Sequence, residues 1–187
     1  NNLHVVGYSE RVAGWFSREE VANHIYTLPH KPKTIPYITS YYDRTWGFCM
    51  EHERFLAMQD SRYYVEIDAS LEPGTLKYGE ARLPGTSGKE ILITSYICHP
   101  SMANDSLSGV VLAVKLYEEL KNTERHHGYR FLFVPETIGT IVYLHKHKDE
   151  IKDWLYSGVV VTCVGDTGKF SYKKSRQGNS PIDRVAE

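Results

Sequence analysis

The sequence predicts an α/β protein built on a mostly parallel sheet, and three observations predict it. EILITSYI (90–97), YRFLFV (129–134) and GVVVTCVG (158–165) are near-continuous apolar runs rich in β-branched or aromatic residues. Strands covered on both faces read this way, because neither face needs polar residues for water. Between the runs lie two helix-like stretches. Residues 106–122 place Leu107, Val110, Val111, Val114 and Tyr117 at helical spacing, and residues 137–155 are amphipathic in their later part. Strands that alternate with helices pair in parallel, since the helix returns the chain to the starting edge of the sheet.

The first half has a different texture. LHVV (3–6) reads as a strand, and Ser17 with Glu20 forms a capping-box pattern that opens a short helix running to about Tyr26. LPHKPKTIP (28–36) is a loop, because its three prolines break any regular element. YITSYY (37–42) is a second strand candidate, and MEHERFLAM (50–58) one or two helical turns. RYYVEID (62–68) and LKYGEARL (76–83) alternate as half-buried strands around the turn EPGT, a hairpin signal. The texture changes near Pro84. The expected division is therefore a mainly β-rich part over 1–84 with flanking core segments, and an α/β core over 85–187.

Composition narrows the function. The 187 residues suffice for one compact domain with a sizeable core. A hydrophobic content of 41% against 24% charged describes a globular chain rather than a disordered one. Lys plus Arg is 22 and Asp plus Glu is 23, so the net charge of -1 offers nucleic acid or an anionic membrane no bulk attraction. No apolar run approaches the ~20 residues that span a bilayer. The expectation is a protein with no nucleic-acid or membrane partner. Cys49, Cys98 and Cys163 form no CxxC pair and sit among apolar or aromatic neighbours, which predicts buried free thiols. With no leader-like N-terminal pattern, the cytoplasm is the expected location. The chain starts at Asn1 without Met and stops at Glu187 after IDRVAE, and is expected to be part of a longer parent, incomplete at its C-terminus.

The chemistry concentrates after the three buried runs. His99 follows the first, Glu136 the second and Asp166 the third, while Asp105 lies in the loop before the helix that follows the first strand. In open α/β sheets, ligands bind beyond the carboxyl ends of the strands. One His and three carboxylates delivered to one edge suit zinc, with manganese or cobalt as alternatives. A single acid after a strand is more often a helix cap, and Asp105 could simply cap a helix starting at Ser106; pattern alone leaves the two readings even. Cys98 beside His99 does not read as a Cys–His catalytic pair, since adjacent strand residues face opposite ways; it reads as a packed thiol behind a ligand. His126–His127, His145 and His147 read as solvated surface residues. KFSYKKSRQGN (169–179) is expected to form a hairpin near the site's rim. The 14 tyrosines and 3 tryptophans are expected mainly to pack a small β domain, with a recognition surface as the alternative.

CHPSMANDSLSG (98–109) resembles the His…(N/D)-D-x-x-S-G metal segment of zinc-dependent aminopeptidases of the M28 type. VPETIGT (134–140) and VGDTG (164–168) are similar to two further segments of that family. LHVVGY, YYDRTWGFC and FSYKKSRQGN extend the likeness over essentially all of the chain, to bacterial aminopeptidase-like proteins linked with polysaccharide biosynthesis clusters. The resemblance implies a three-layer α/β/α sandwich of the zinc-exopeptidase kind with a small inserted β-rich domain. It implies His99 and Asp166 as ligands of one metal and Asp105 as the bridge to a second. Glu136 would be either a ligand of the second metal or the general base. Three departures accompany the likeness. Pro135 stands where the family has a first of two acids, Ser101 stands where it has an aspartate two residues after the His, and its last His has no counterpart within these 187 residues. The resemblance implies metal-dependent hydrolysis of a peptide or related amide. The alternatives are a non-catalytic metal- or ligand-binding module and an amino-sugar deacylase. A peptide or amide substrate, one or two zinc ions and a homo-oligomer complete the expectation.

Overall fold

The computed structural model describes residues 4–41, 43–99 and 102–186. The chain divides into two compact units, residues 1–74 and 75–187.

The first unit is built from short pieces. β1 (Val12–Ser17) pairs antiparallel with β4 (Arg62–Ile67), setting Trp15 opposite Tyr64 and Phe16 opposite Tyr63. Alternation along β4 buries Val65 and Ile67 and leaves Arg62, Tyr64 and Glu66 exposed, the period of a half-covered ribbon. α1 (Arg18–Ala22) starts at the expected capping box: Glu20 N donates to Ser17 Oγ (3.2 Å) and Ser17 N donates to the Glu20 carboxylate (2.7 Å). The helix ends at Ala22 rather than Tyr26, because Ile25–Tyr26 form β2, parallel to β3 (Phe48–Cys49). α2 (His52–Leu56) is the expected pair of helical turns. Val6, Val21, Cys49, Val65 and Ile67 form the buried apolar set. Among the described residues, the strand expected at 3–6 supplies one bridge, Val5 to Phe48, and that expected at 37–42 one bridge, Gly7 to Thr39; Leu3 and Tyr42 lie outside the described residues. Tyr8, Trp15, Tyr37, Tyr41 and Tyr64 are more than half exposed, so much of the aromatic content is on the surface rather than in a core.

The second unit carries a four-stranded sheet in the order β5 (Gly79–Leu83), β7 (Gly128–Val134), β6 (Glu90–Tyr96), β8 (Leu155–Val160). β6 is parallel to β7 and β8, and β5 is antiparallel to β7. The mostly parallel sheet expected from the sequence is present. The expected hairpin is not, since β4 pairs with β1 and β5 with β7. α3 (Gly109–Leu120) joins β6 to β7; α4 (Ile138–His147) and α5 (Ile151–Trp154) join β7 to β8; α6 (Pro181–Ala186) follows. Neighbours on β7 point opposite ways. Phe131 packs with Leu83, Ile93 and Ala113, whereas Leu132 packs with Val134 and Tyr143 of α4. β8 is the surprise: it is short and mostly exposed although GVVVTCVG reads as a buried run. The chain leaves the ladder after Val161 N donates to Thr94 O, and residues 162–166 form a loop. Residues 169–179 make no hairpin; they are tied to buried Asp183, which accepts from Tyr172 Oη, both Ser175 groups and both Ser180 groups.

A buried charge cluster crosses the sheet of this unit. Arg130 Nε donates to Glu90 (2.7 Å), and its Nη1 donates to Glu80 (3.2 Å) and to Tyr143 Oη (3.1 Å). Tyr143 Oη in turn donates to Glu80 (2.7 Å), and Arg82 donates to Glu90 from outside. The Trp154 ring lies 3.8 Å from the Arg130 guanidinium carbon. Burial pushes the Tyr143 hydroxyl up to about 12, helped by the Glu80 bond. Among the described residues, no helix is long and apolar enough to cross a membrane.

Candidate metal centre

β6 and β7 run in register to Tyr96 opposite Val134, and Ile97 N still donates to Val134 O (3.1 Å). The chain therefore leaves both strands at one level, and Cys98–His99 emerge beside Pro135–Glu136. His99 Nε2 lies 3.2 Å from Glu136 Oε2 and 3.8 Å from Asp105 Oδ2. The imidazole is largely covered, with 18% of the side chain exposed, while Asp105 (41%) and Glu136 (47%) open to solvent. Three of the four residues singled out in the sequence thus converge.

Asp105 does not cap a helix. It sits inside an irregular turn, Ala103–Ser108, with φ -107° and ψ 92°, and Ser108 is the residue that precedes α3. The turn is pinned from two sides. Buried Ser106 donates its hydroxyl to Tyr96 O (2.7 Å), and Ser108 Oγ donates to Asn104 O (2.6 Å) while accepting from Val164 N (3.1 Å). Gly109 opens α3 in close contact with the sheet; a Cβ there would run into the Val161 carbonyl oxygen and Ser95 Oγ.

Asp166 is joined to this turn rather than to the His99 group. Asn104 Nδ2 donates to Asp166 Oδ2 (3.0 Å) and Gly165 N donates to Asn104 Oδ1 (2.8 Å), while Gly168 N fixes Asp166 Oδ1 (2.6 Å). It lines a cleft of about 290 Å³ with Cys163, Lys169 and Phe170. Because β8 ends at Val160, Asp166 lies six residues past the strand rather than directly after it.

The sequence reading missed two residues. Asn104 is the clip between the loops after β6 and β8, and its signal is the Asn-Asp-x-x-Ser spacing, in which the Asn and Ser bond to each other. Cys98 is the other. Expected behind the ligand, its sulfur instead accepts from Glu136 N (3.1 Å) and lies with His99 and Glu136 in a set whose ligand atoms are all within 4.8 Å. β6 ends at Tyr96, so the alternation of facing no longer governs residues 97–99. The buried free thiols expected are also sorted differently: Cys49 is buried, Cys98 half-buried and Cys163 exposed. Ser101, two residues after His99, lies outside the described residues.

Backbone strain flanks the site. Thr137, immediately after Glu136, has φ 58°, and Cys163 has φ 52°. Left-handed backbone is costly for a β-branched residue, on the order of 1–3 kcal/mol, and such strain gathers where a neighbouring side chain must be aimed. The local charge is negative. Burial raises the Tyr96 hydroxyl above its usual range, and Glu136, Asp105, Cys98 and Cys163 raise it further. Among the described residues, no Lys or Arg pairs with Asp105 or Glu136.

Zinc bonds of ~2.0–2.2 Å to nitrogen and oxygen place neighbouring tetrahedral ligands about 3.3 Å apart. His99 Nε2 and Glu136 Oε2, at 3.2 Å, meet that spacing, and among the described residues the mutually close donor set is Cys98, His99 and Glu136, with Asp105 outside it at 3.8 Å from His99.

Residues 3–187 match the family model described as a domain of unknown function, DUF4910. A Clostridium acetobutylicum protein named as a candidate polysaccharide biosynthesis protein with an aminopeptidase-like domain is 44% identical over 187 residues. That match takes in all of this chain but only 43% of the relative's length. The crystal structure of a candidate peptidase from C. acetobutylicum superposes with a TM-score of 0.94 at 44% identity, over 99% of this chain and 44% of that one. A zinc aminopeptidase from Bacillus subtilis shares the fold at a TM-score of 0.55 and 14% identity, over 83% of this chain and 42% of its own. The mixed α/β fold is thus similar to that of aminopeptidase-type structures.

Proposed function

The chain belongs to the DUF4910 family, and from that premise we propose that it forms the metal-binding part of an aminopeptidase-type hydrolase of the M28 kind. In this reading the second unit belongs to a three-layer sandwich and the β-rich first part is its insertion. His99, Asp105, Glu136 and Asp166 hold zinc, as one or two ions, and the substrate is a peptide or related amide. One observation carries the reading: His99 Nε2 lies 3.2 Å from a Glu136 oxygen and 3.8 Å from an Asp105 oxygen, in a place where no Lys or Arg pairs with them among the described residues. The names of the Clostridium relatives and the fold of the Bacillus zinc enzyme support it.

A bound zinc would lower the pKa of water to about 7 and polarise the scissile carbonyl. The chain's own residues do the rest. Glu136, half-exposed beside the strained backbone at Thr137, is either the carboxylate ligand of a second ion or the base that takes a proton from the attacking water and passes it to the leaving amine. Asp105 faces it across His99, and Asn104 keeps Asp166 at the edge of the same loops.

The test combines two measurements on the purified protein. Elemental analysis is expected to find zinc at one or two equivalents, lost in His99→Ala and in Asp105→Ala. Release of amine from aminoacyl chromogenic amides is expected to stop with chelator and return with zinc. Absence of stoichiometric metal sinks the proposal. A second reading, a metal-binding module without turnover, is favoured by Pro135: one acid, Glu136, stands where ligand and base would both be needed. Bound zinc with no turnover on any amide selects it.

A further inference from the structure

We infer that Cys98 is itself a metal ligand, so that the centre is built on a Cys98–His99–Glu136 triad rather than on imidazole and carboxylates alone. The inference rests on the metal-dependent reading and adds a donor that the sequence pattern placed on the wrong side of the strand.

Position comes first. Sγ of Cys98, a ring nitrogen of His99 and a carboxylate oxygen of Glu136 all lie within 4.8 Å of one another. A tetrahedral zinc with a 2.3 Å bond to sulfur and ~2.1 Å bonds to nitrogen or oxygen needs sulfur about 3.6 Å from the other donors. Small side-chain rotations of exposed Glu136 and half-buried Cys98 close that difference. The backbone allows it, because residues 97–99 lie past the end of β6, where consecutive side chains are free to converge.

Chemistry comes second. Glu136 N donates to Cys98 Sγ at 3.1 Å. An N–H directed at the sulfur is the kind of outer hydrogen bond that orients a donor atom. The same bond ties the position of the sulfur to that of the Glu136 carboxylate, so the two donors are placed together. The other cysteines lack this setting: Cys49 is buried in the first unit, where burial pushes its thiol up, and Cys163 is exposed and touches Thr162.

A thiolate changes what the site selects. Sulfur donors favour zinc and disfavour manganese and magnesium, whose preference is for oxygen. Three protein donors fill three of the four positions of a tetrahedral zinc, and the fourth is left to Asp105, 3.8 Å from His99, or to water.

The experiment is titration of the zinc-free protein with Co²⁺, read by absorption. Thiolate bound to Co²⁺ gives an intense near-ultraviolet charge-transfer band, which imidazole and carboxylate do not. The wild type is expected to show the band, saturating with the visible bands of bound cobalt. Cys98→Ser is expected to lose it and to weaken cobalt binding by more than the ~10–100-fold cost of losing an outer-sphere partner. Cys163→Ser is expected to keep it. Cobalt bound without the band, or a band surviving in Cys98→Ser, overturns the inference while leaving metal binding in place. Failure to bind cobalt at all overturns both. A second readout needs no variant: zinc is expected to slow alkylation of Cys98 in the wild type at least tenfold and to leave that of Cys163 unchanged. Equal rates of Cys98 alkylation with and without zinc overturn the inference.

Discussion

Glu90 at the start of β6 and Arg130 within β7 meet in a cluster where each charge has an opposite partner. His99 and Glu136, a few residues past the ends of the same two strands, meet in one where acidic groups prevail. In the first, two arginines face two glutamates, and Tyr143 and the Trp154 ring fill the remaining valences. In the second, two carboxylates flank one imidazole with a thiol beside it. The contrast separates charge that holds a fold together from charge left open at a strand end. The former is buried and neutralised from within; in the latter, Asp105 and Glu136 are partly open, and among the described residues no Lys or Arg pairs with them.

The largest effect expected lies in the balanced cluster. Arg130→Met leaves Glu90 buried without its main partner and is expected to destabilise the protein by about 3–5 kcal/mol, measured by denaturant midpoint. A loss below about 1 kcal/mol would mean that Glu90 finds another partner. Acid probes the same cluster. Burial raises the Glu90 carboxyl, but its bonds from Arg130 and Arg82 outweigh that and hold it below its usual value. A group depressed in the folded state contributes stability that is complete above its unfolded pKa, about 4.3, and lost as pH falls through the folded value. Melting temperature is expected to drop below about pH 4.3 in the wild type, and the glutamate share of that drop to vanish in Arg130→Met.

Metal addition tests the other side. Zinc at a hundred times its dissociation constant is expected to stabilise the wild type by about 2.7 kcal/mol and to leave His99→Ala unmoved, both read by thermal shift. Smaller again is the outer pair: Arg82 is 58% exposed, and Arg82→Ala is expected to cost about 0–1 kcal/mol. The smallest effect is the sharpest. Asp105→Asn in chelator is expected to shift stability by no more than ~0.5 kcal/mol, toward stabilisation, because it relieves repulsion rather than removing a partner. A large loss would place Asp105 among the structural residues and break the contrast.

What could be read in advance follows the same division. β6, β7 and α3 are legible because continuous apolar runs and helical spacing report burial directly, and the meeting of His99 with Glu136 follows from asking what stands at the strand ends. β8 misled because the apolar character of Val159, Val160 and Val161 cannot by itself show that one flank is open; the ladder with β6 ends at Val160. β1 is hard to read because VAGWFS has no alternation of apolar with polar residues and exposes its tryptophan. The capping box at Ser17 was legible since both its bonds are local. Cys98 and Asn104 were not, because their partners, Glu136 and Asp166, lie 38 and 62 residues away and meet them only through loop geometry.

Gly109 gives the site its tolerance. With hydrogen in place of a methyl group, the first turn of α3 rests on the Val161 carbonyl and Ser95, and the turn that holds Asn104, Asp105 and Ser108 hangs from that rest. One added carbon would lift the helix and carry Asp105 and the Asn104 clip outward together, so the spacing of the donor atoms is gauged by a residue that never touches them. The geometry of the loop after β6 is therefore set at the seat of a helix, and a substitution at this one position would move Asp105 and Asn104 together.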